Sequence, residues 1–170
     1  MGRTFNVLVL CTGNSARSIL GEMLFNHLGA GRIRACSAGS QPTGQVNPLA
    51  LETLERHGVP LQGARSKSWN EFGAQAGQDA VPPAPTFDFI FTVCGSAARE
   101  TCPVWPGDPV TIHWEIADPS HVELLEPRRA AFEATYQLLR KRIKAFLTLP
   151  LETMSGNAVL AATRRIYGCD

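Results

Sequence analysis

The stretch that decides the fold is residues 5–18, FNVLVLCTGNSARS, in which an apolar run leads directly into a cysteine, five further residues and an arginine. The apolar run is typical of a buried strand, and the residues after the loop have helical spacing. Backbone N–H groups of a loop between a strand and a helix point inward and favour negative charge. Arg17 adds a planar fork of donors that suits two oxygens of a tetrahedral anion. The stretch therefore predicts a cradle for an oxyanion.

Cys11 lies at the base of this cradle and is the predicted nucleophile. The field that holds an anion also stabilises a thiolate, so we expect Cys11 to ionise well below the value of about 8.5 for a free thiol. Gly13 allows close approach of the backbone, Asn14 tolerates positive φ, and Ser18 can hydrogen-bond the thiolate. The predicted oxyanion-binding residues are Thr12, Gly13, Asn14, Ser15, Ala16, Arg17 and Ser18. A buried core cysteine is the competing interpretation, but the strand before the loop and the helix after it favour a nucleophile.

Length, charge and cysteine content restrict the class of protein. A chain of 170 residues with net charge +1 and 18% charged residues predicts one compact domain and gives no sign of a nucleic-acid or membrane partner. No run approaches the roughly 20 apolar residues that span a bilayer, and the first strand begins too early for a signal peptide, so we expect a cytoplasmic protein. In that reducing compartment we expect no structural disulfides, and the cysteines and histidines lack the paired spacing of a zinc site.

Strand and helix patterns alternate along the chain, which predicts an α/β fold with a four-stranded parallel sheet flanked by helices. The predicted strands are 5–10, 33–38, 87–93 and 110–114, and the predicted helices are 16–28, 47–57 and 128–147. The segment 74–85 is rich in Ala, Gly and Pro and is predicted to be a mobile surface loop. We expect a single domain over residues 1–148 and a C-terminal extension over 149–170, in which 157–167 could form a helix.

The loop at residues 11–18 resembles the phosphate-binding loop of the low-molecular-weight protein tyrosine phosphatase superfamily. Its spelling, CTGNSARS, is more similar to the arsenate reductases of that superfamily than to its phosphatases. The resemblance implies a low-molecular-weight phosphatase-like fold, with the cradle at the carboxyl end of the first strand, where open α/β sheets bind ligands. Residues outside this loop must decide whether the predicted reaction is arsenate reduction or phosphate-ester hydrolysis.

A second pair of thiols, Cys94 and Cys102, bears on that choice. Cys94 ends the third predicted strand and therefore lies at the same sheet edge as Cys11. The residues between the pair could form a short helix capped by Ser96, which would hold the sulfurs too far apart, since a disulfide needs Cα atoms within about 7 Å. Unwinding of that helix would permit the bridge, and two ordinary cysteines are the alternative. The resemblance to thioredoxin-coupled arsenate reductases implies a relay of three thiols, although the spacing here is one residue longer than is common there.

Asp118, in the stretch HWEIADP at residues 113–119, resembles the general acid of the same family. Loss of an oxygen from the anion needs a proton, which a positioned carboxylic acid can supply. A turn-forming aspartate before a proline is the alternative. The family's phosphatases typically have a tyrosine after this Asp-Pro pair to pack on an aromatic substrate, and Ser120 in its place argues against phosphotyrosine.

Glu22 and Ser37 match positions that bind potassium in some arsenate reductases. Arg65-Ser66-Lys67 replaces the Thr and Asp that complete that site, and Lys67 could supply the positive charge itself. We therefore predict no bound metal. No flavin or nicotinamide cofactor is expected either, because the electrons would come from thiols.

The function predicted from these features is reduction of arsenate to arsenite through Cys11, Cys94 and Cys102, with Arg17 and Asp118 assisting. Phosphate or sulfate could occupy the same loop, and thioredoxin or a similar thiol reductant is the expected partner of a monomeric enzyme. A phosphatase acting on phosphotyrosine or small phosphate esters would use only the nucleophile, the arginine and the acid. A module that sequesters an oxyanion or arsenite through its thiols is a third alternative.

Overall fold

A computed structural model describes residues 2–73 and 85–170 of the chain. Its centre is a sheet of four strands, which are β1 (Phe5–Cys11), β2 (Ile33–Gly39), β3 (Phe89–Thr92) and β4 (Val110–His113). The strand order is β2-β1-β3-β4, and every neighbouring pair is parallel. The predicted four-stranded parallel sheet is confirmed.

Five helices accompany the sheet, and their bounds are α1 (Arg17–Leu28), α2 (Pro48–Arg56), α3 (Gly95–Arg99), α4 (Leu125–Leu147) and α5 (Gly156–Tyr167). The fourth helix begins three residues before the predicted start, because Pro127 lies in the first turn, where no intrahelical N–H bond is lost. The predicted surface loop at 74–85 lies, apart from Pro85, outside the described residues. Within the described ranges, no helix combines the length and apolar character needed to cross a membrane.

The sheet is buried on both faces, as a parallel sheet with alternating side chains requires. One face packs against α1 and α4, where the rings of Phe25, Phe91 and Phe146 meet at centroid distances of 5.1–6.0 Å. The other face, with Leu8 and Leu10 of β1, packs against a smaller apolar cluster. This cluster contains Ala38, Trp69, Phe72, Phe87 and Ile90, with Cys36, Cys102 and Trp105 partly buried against it. Burial on both faces fixes the carboxyl edge of the sheet, where the loop after β1 lies.

The C-terminal segment returns to the edge of the sheet, since α5 packs against β4 and α4. The indole of Trp114, just beyond β4, donates to the carbonyl of Thr163 in α5 at 3.3 Å. The buried guanidinium of Arg142 in α4 pairs with the Asp170 carboxylate and donates to the Glu115 carbonyl at 3.3 Å. These contacts brace the chain between β4 and Asp118 from behind.

Candidate active site

The loop after β1 is tied to its surroundings through its own carbonyl groups. The backbone N–H groups of Gln41 and Thr43 donate to the carbonyls of Thr12 and Gly13, each at 3.0 Å. A Cβ at Gly39 would collide with the carbonyl oxygen of Thr12, so glycine is needed there to let the two segments approach. With the carbonyls held outward, the loop has the backbone arrangement that an anion cradle requires.

Asn14 is buried and adopts the left-handed φ of 44° at the turn of this loop, as its residue type suggested. Its amide donates to Ser18 Oγ at 2.8 Å and to Ser37 Oγ at 2.9 Å, and its carbonyl oxygen accepts from the backbone N–H of Lys67 at 2.9 Å. Ser18 was expected to contact the thiolate, but its contact in the described structure is with Asn14. The asparagine is the residue that holds the conformation of the loop.

A buried ion pair lies beneath that asparagine. Lys67 Nζ is 3.6 Å from Glu22 Oε2, with the two side chains only 5% and 8% exposed, and it also donates to the Arg65 carbonyl at 3.1 Å. Ser37 donates its hydroxyl hydrogen to the same Glu22 carboxylate. Burial raises the pKa of Glu22, and the charge of Lys67 opposes that shift. Lys67 thus provides a positive charge beside Glu22, as the sequence suggested.

Cys11 ends β1 and Cys94 follows β3, so both thiols lie at the carboxyl edge of the sheet. Cys94 Sγ accepts from the Ala97 backbone N–H at 3.4 Å and lies 3.6 Å from Thr12 Oγ1. The neighbouring Cys11 thiol lowers the pKa of Cys94 to about 5, against the opposing effect of burial. The Cys94 thiol and burial raise the pKa of Cys11 in turn. Of the two thiols, Cys94 is therefore the one that ionises more readily.

Two features of these residues differ from expectation. Cys11 was expected to ionise below a free thiol, but the Cys94 thiol and burial raise the pKa of Cys11 and outweigh the charge of Arg17. Ser96 was expected to cap α3, but the cap is the Cys94 sulfur, which accepts the hydrogen bond of Ala97.

Cys102 lies on the far side of α3 and is half-buried among the apolar cluster of the second sheet face. Its sulfur donates to the Glu100 carbonyl at 3.6 Å. Burial and then the charge of Glu100 raise the pKa of Cys102. All five cysteines are free, and α3 stands between Cys94 and Cys102 as predicted.

Arg17 and Asp118 face each other across the mouth of the loop. Arg17 Nη1 donates to the Ile116 carbonyl at 2.9 Å, and Nη2 lies 3.3 Å from Asp118 Oδ2. Asp118 Oδ1 also accepts from the backbone N–H and the hydroxyl of Ser120, at 2.9 and 2.6 Å. Burial acts to raise the pKa of Asp118, but Ser120, Arg17 and His121 outweigh it and hold that pKa below its usual value. In this state Asp118 is an ionised partner of the arginine.

The space enclosed by these residues is an open cavity of about 650 Å³. Thr12, Gly13, Arg17, Cys94 and Asp118 line it, and so do Arg99, Glu115 and His121, which the sequence had not singled out. Among the described residues, no Phe, Tyr or Trp side chain lines this cavity. Ser120 was noted only because no aromatic ring stands there. Its actual contact is with Asp118, and an Asp followed two residues later by Ser is the signal that could have predicted it.

Comparisons with known proteins agree with this geometry. The model of the family "Low molecular weight phosphotyrosine protein phosphatase" matches residues 6–158. An arsenate reductase of Halalkalibacterium halodurans is 30% identical over 82% of this chain and 93% of its own length. A solved arsenate reductase in its phosphate-binding state superposes with a TM-score of 0.66 at 23% identity, covering 85% of this chain and 98% of that one. A thioredoxin-dependent arsenate reductase of Corynebacterium glutamicum gives 0.57 at 24% identity, covering 87% and 65%.

Proposed function

The chain belongs to the low molecular weight phosphotyrosine protein phosphatase family, and on that premise we propose that it reduces arsenate to arsenite with three of its own thiols. The observation that carries the proposal is a second thiol at the oxyanion loop, since Cys94 lines the cavity and its sulfur lies 3.6 Å from Thr12 Oγ1. Hydrolysis of a phosphate ester needs one nucleophile and one acid. A second thiol in contact with the nucleophile is useful when two electrons must leave the protein. Curated relatives that carry the name arsenate reductase support the same conclusion.

Arsenate would enter the loop formed by Thr12 to Ser18 and take the place of the present partners of Arg17. The guanidinium now donates to the Ile116 carbonyl and to Asp118, and both contacts are exchangeable for two oxygens of the anion. Phosphate and sulfate share that tetrahedral shape and would compete for the loop. None of the described residues that line the cavity offers the aromatic surface that a phosphotyrosine ring would need, which favours a small inorganic anion.

In the first step, Cys11 passes its proton to the Cys94 thiolate and attacks arsenic. A sulfur–arsenic bond forms, and one arsenate hydroxyl leaves as water with a proton from Asp118. The ligand-free Asp118 is ionised because Ser120 and Arg17 stabilise its charge. When Arg17 turns to a doubly charged anion, the carboxylate loses that support and gains a negative neighbour, so it takes up a proton. Binding of the substrate thus prepares the acid.

In the second step, Cys94 releases its proton to solvent and its thiolate attacks Cys11 Sγ. The Cys11–Cys94 bond forms, the sulfur–arsenic bond breaks, and its electron pair remains on arsenic, which is reduced from As(V) to As(III). Cys94 Sγ lies 3.6 Å from the hydroxyl of Thr12, the residue next to Cys11, so this step needs no large movement. Arsenite leaves after protonation of its oxygens.

In the third step, the Cys102 thiolate attacks Cys94 Sγ, and Cys11 leaves as a thiolate. The five residues of α3 separate the two cysteines, so this helix has to open before the sulfurs can meet. A dithiol protein of the thioredoxin type then reduces the Cys94–Cys102 bridge and returns all three thiols. We further propose that the enzyme works as a monomer in the cytoplasm, where such reductants are found.

The test is arsenite production over many turnovers with a thioredoxin system, in the wild type and in the variants Cys102→Ser and Cys169→Ser. We expect Cys102→Ser to lose at least about 100-fold in turnover, while Cys169→Ser, which changes an exposed thiol far from the cavity, stays within about twofold. Full turnover by Cys102→Ser would overturn the relay. Efficient hydrolysis of an aryl phosphate by Cys94→Ser and Cys102→Ser, without arsenate reduction by the wild type, would establish the phosphatase alternative.

A further inference from the structure

Glu100 connects three parts of the site that the reaction uses at different times. Its carboxylate accepts a hydrogen bond from Thr12 Oγ1 in the oxyanion loop at 3.4 Å. Its backbone N–H donates to the Ser96 carbonyl at 3.0 Å and completes the last turn of α3. Its backbone carbonyl accepts from Cys102 Sγ at 3.6 Å. One residue therefore joins the loop, the helix that must open and the third thiol.

Cys102 is packed against the second apolar cluster, and none of the described residues in that cluster is charged. Glu100 is the charged residue whose backbone carbonyl accepts from the Cys102 sulfur. Burial in that cluster and the Glu100 carboxylate both disfavour a Cys102 thiolate. Because the thiolate and not the thiol attacks a disulfide, a protonated Cys102 is unreactive.

We propose that Glu100 is a positioning residue that restrains Cys102, holding its thiol at the Glu100 carbonyl and away from Cys94 until α3 opens. This inference rests on the proposed function, because the restraint would make the three thiols react in the sequence that the proposed reaction requires. Cys94 must attack Cys11 before Cys102 acts, because a Cys102 thiolate that is free too early could attack Cys11 Sγ itself, break the sulfur–arsenic bond and form a Cys11–Cys102 bridge. When α3 opens, Cys102 leaves the Glu100 carbonyl, loses a proton to solvent, and its thiolate forms the bond to Cys94 while the Cys11–Cys94 bond breaks.

The experiment measures the alkylation of each cysteine in the fully reduced protein by a limiting amount of iodoacetamide, followed by mass mapping of peptides. Glu100→Gln keeps the size of the side chain and an acceptor for Thr12 but removes the charge. We expect Cys102 in this variant to react about fivefold faster near neutral pH, the factor given by loss of one nearby, partly screened charge. The pH midpoint of its alkylation should fall, while Cys169 in the same sample keeps its rate.

Glu123→Gln is the matched control, since Glu123 is exposed and lies outside the cavity, and it should leave Cys102 unchanged. Thr12→Val removes the hydroxyl that anchors the Glu100 carboxylate, so it should raise the rate at Cys102 as well. An unchanged rate at Cys102 in Glu100→Gln would overturn the proposal, and so would an equal rise at every pH, which indicates only loosened structure. Because no arsenate is used, these outcomes stand whether or not the enzyme reduces arsenate.

Discussion

Two regions meet at the carboxyl edge of the sheet, and they are built in opposite ways. The oxyanion loop rests on Asn14, which is fully buried, and on the Glu22–Lys67 pair, whose polar groups have partners. The segment 94–102 consists of a helix of five residues with an exposed outer face, followed by a half-buried cysteine. A buried, satisfied polar network is rigid, whereas a short, exposed helix opens at little cost. This difference matches the proposed chemistry. The anion must be held in a fixed position, whereas the disulfide must pass from the Cys11–Cys94 pair to the Cys94–Cys102 pair.

The largest effect is expected from Lys67→Met, which disrupts the buried ion pair beneath the oxyanion loop. This change leaves the buried Glu22 carboxylate without its cation, and removal of one partner from a buried pair costs about 3–5 kcal/mol. Urea unfolding should show that loss in the free energy of unfolding. The double variant Lys67→Met/Glu22→Gln should regain a large part of it, because the uncompensated charge is gone. A loss below about 1 kcal/mol in the single variant would show that the pair does not support the loop.

The two regions meet at Cys11 and Cys94, and a titration can show which of these thiols holds the negative charge. Ultraviolet absorbance of the thiolate should titrate with a midpoint at a pH of about 5, and Cys94→Ser should remove that transition. Cys11→Ser should move the midpoint upward, since Cys11 is the donor that stabilises the Cys94 thiolate. A transition that survives in Cys94→Ser and disappears in Cys11→Ser would instead place the charge on the nucleophile.

The same charge makes stability depend on pH. The pKa of Cys94 is lowered in the folded protein from the ordinary range of a thiol to about 5. Its stabilisation is therefore complete above the unfolded value, shrinks as the pH falls, and is lost below the folded value. Between about pH 6 and about pH 8 the wild type should gain stability over Cys94→Ser as the pH rises. A difference that stays flat across this interval contradicts the assignment.

The smallest effect is expected at Asp118, the proposed general acid. Ser120→Ala removes the 2.6 Å hydrogen bond that stabilises ionised Asp118, so the pKa of Asp118 should rise. The alkaline limb of the kcat profile for arsenate, which reports groups in the enzyme–substrate complex, should then move to higher pH, with a rate change within about threefold. Ser120→Thr keeps the hydroxyl and should restore the wild-type profile. A profile that does not move would mean that Asp118 is not the acid.

Much of this arrangement was predictable from residue order. The apolar run before Cys11 defined β1, the alternation of strands and helices defined the parallel sheet, and parallel strands bring Cys11 and Cys94 to one edge. The lowered pKa of Cys94 was not predictable, because it depends on the neighbouring Cys11 thiol and on the hydrogen bond from the Ala97 N–H. The role of Glu100 was hidden for the same reason, since its carboxylate meets Thr12 across 88 positions of the chain. The local sequence pattern predicts the strands, the helices and the sheet edge at which the site lies, whereas these contacts between distant residues form only after folding.

The central claim is that Cys11 and Cys94 together supply the two electrons, and Cys102→Ser tests it most directly. Reduced Cys102→Ser protein is given an excess of arsenate without any reductant, the thiols are blocked in acid, and arsenite and disulfides are counted. One arsenite per chain and a single Cys11–Cys94 disulfide are expected, since Cys102 acts only afterwards. Absence of arsenite with both thiols still free, or a disulfide that joins other cysteines, would contradict it.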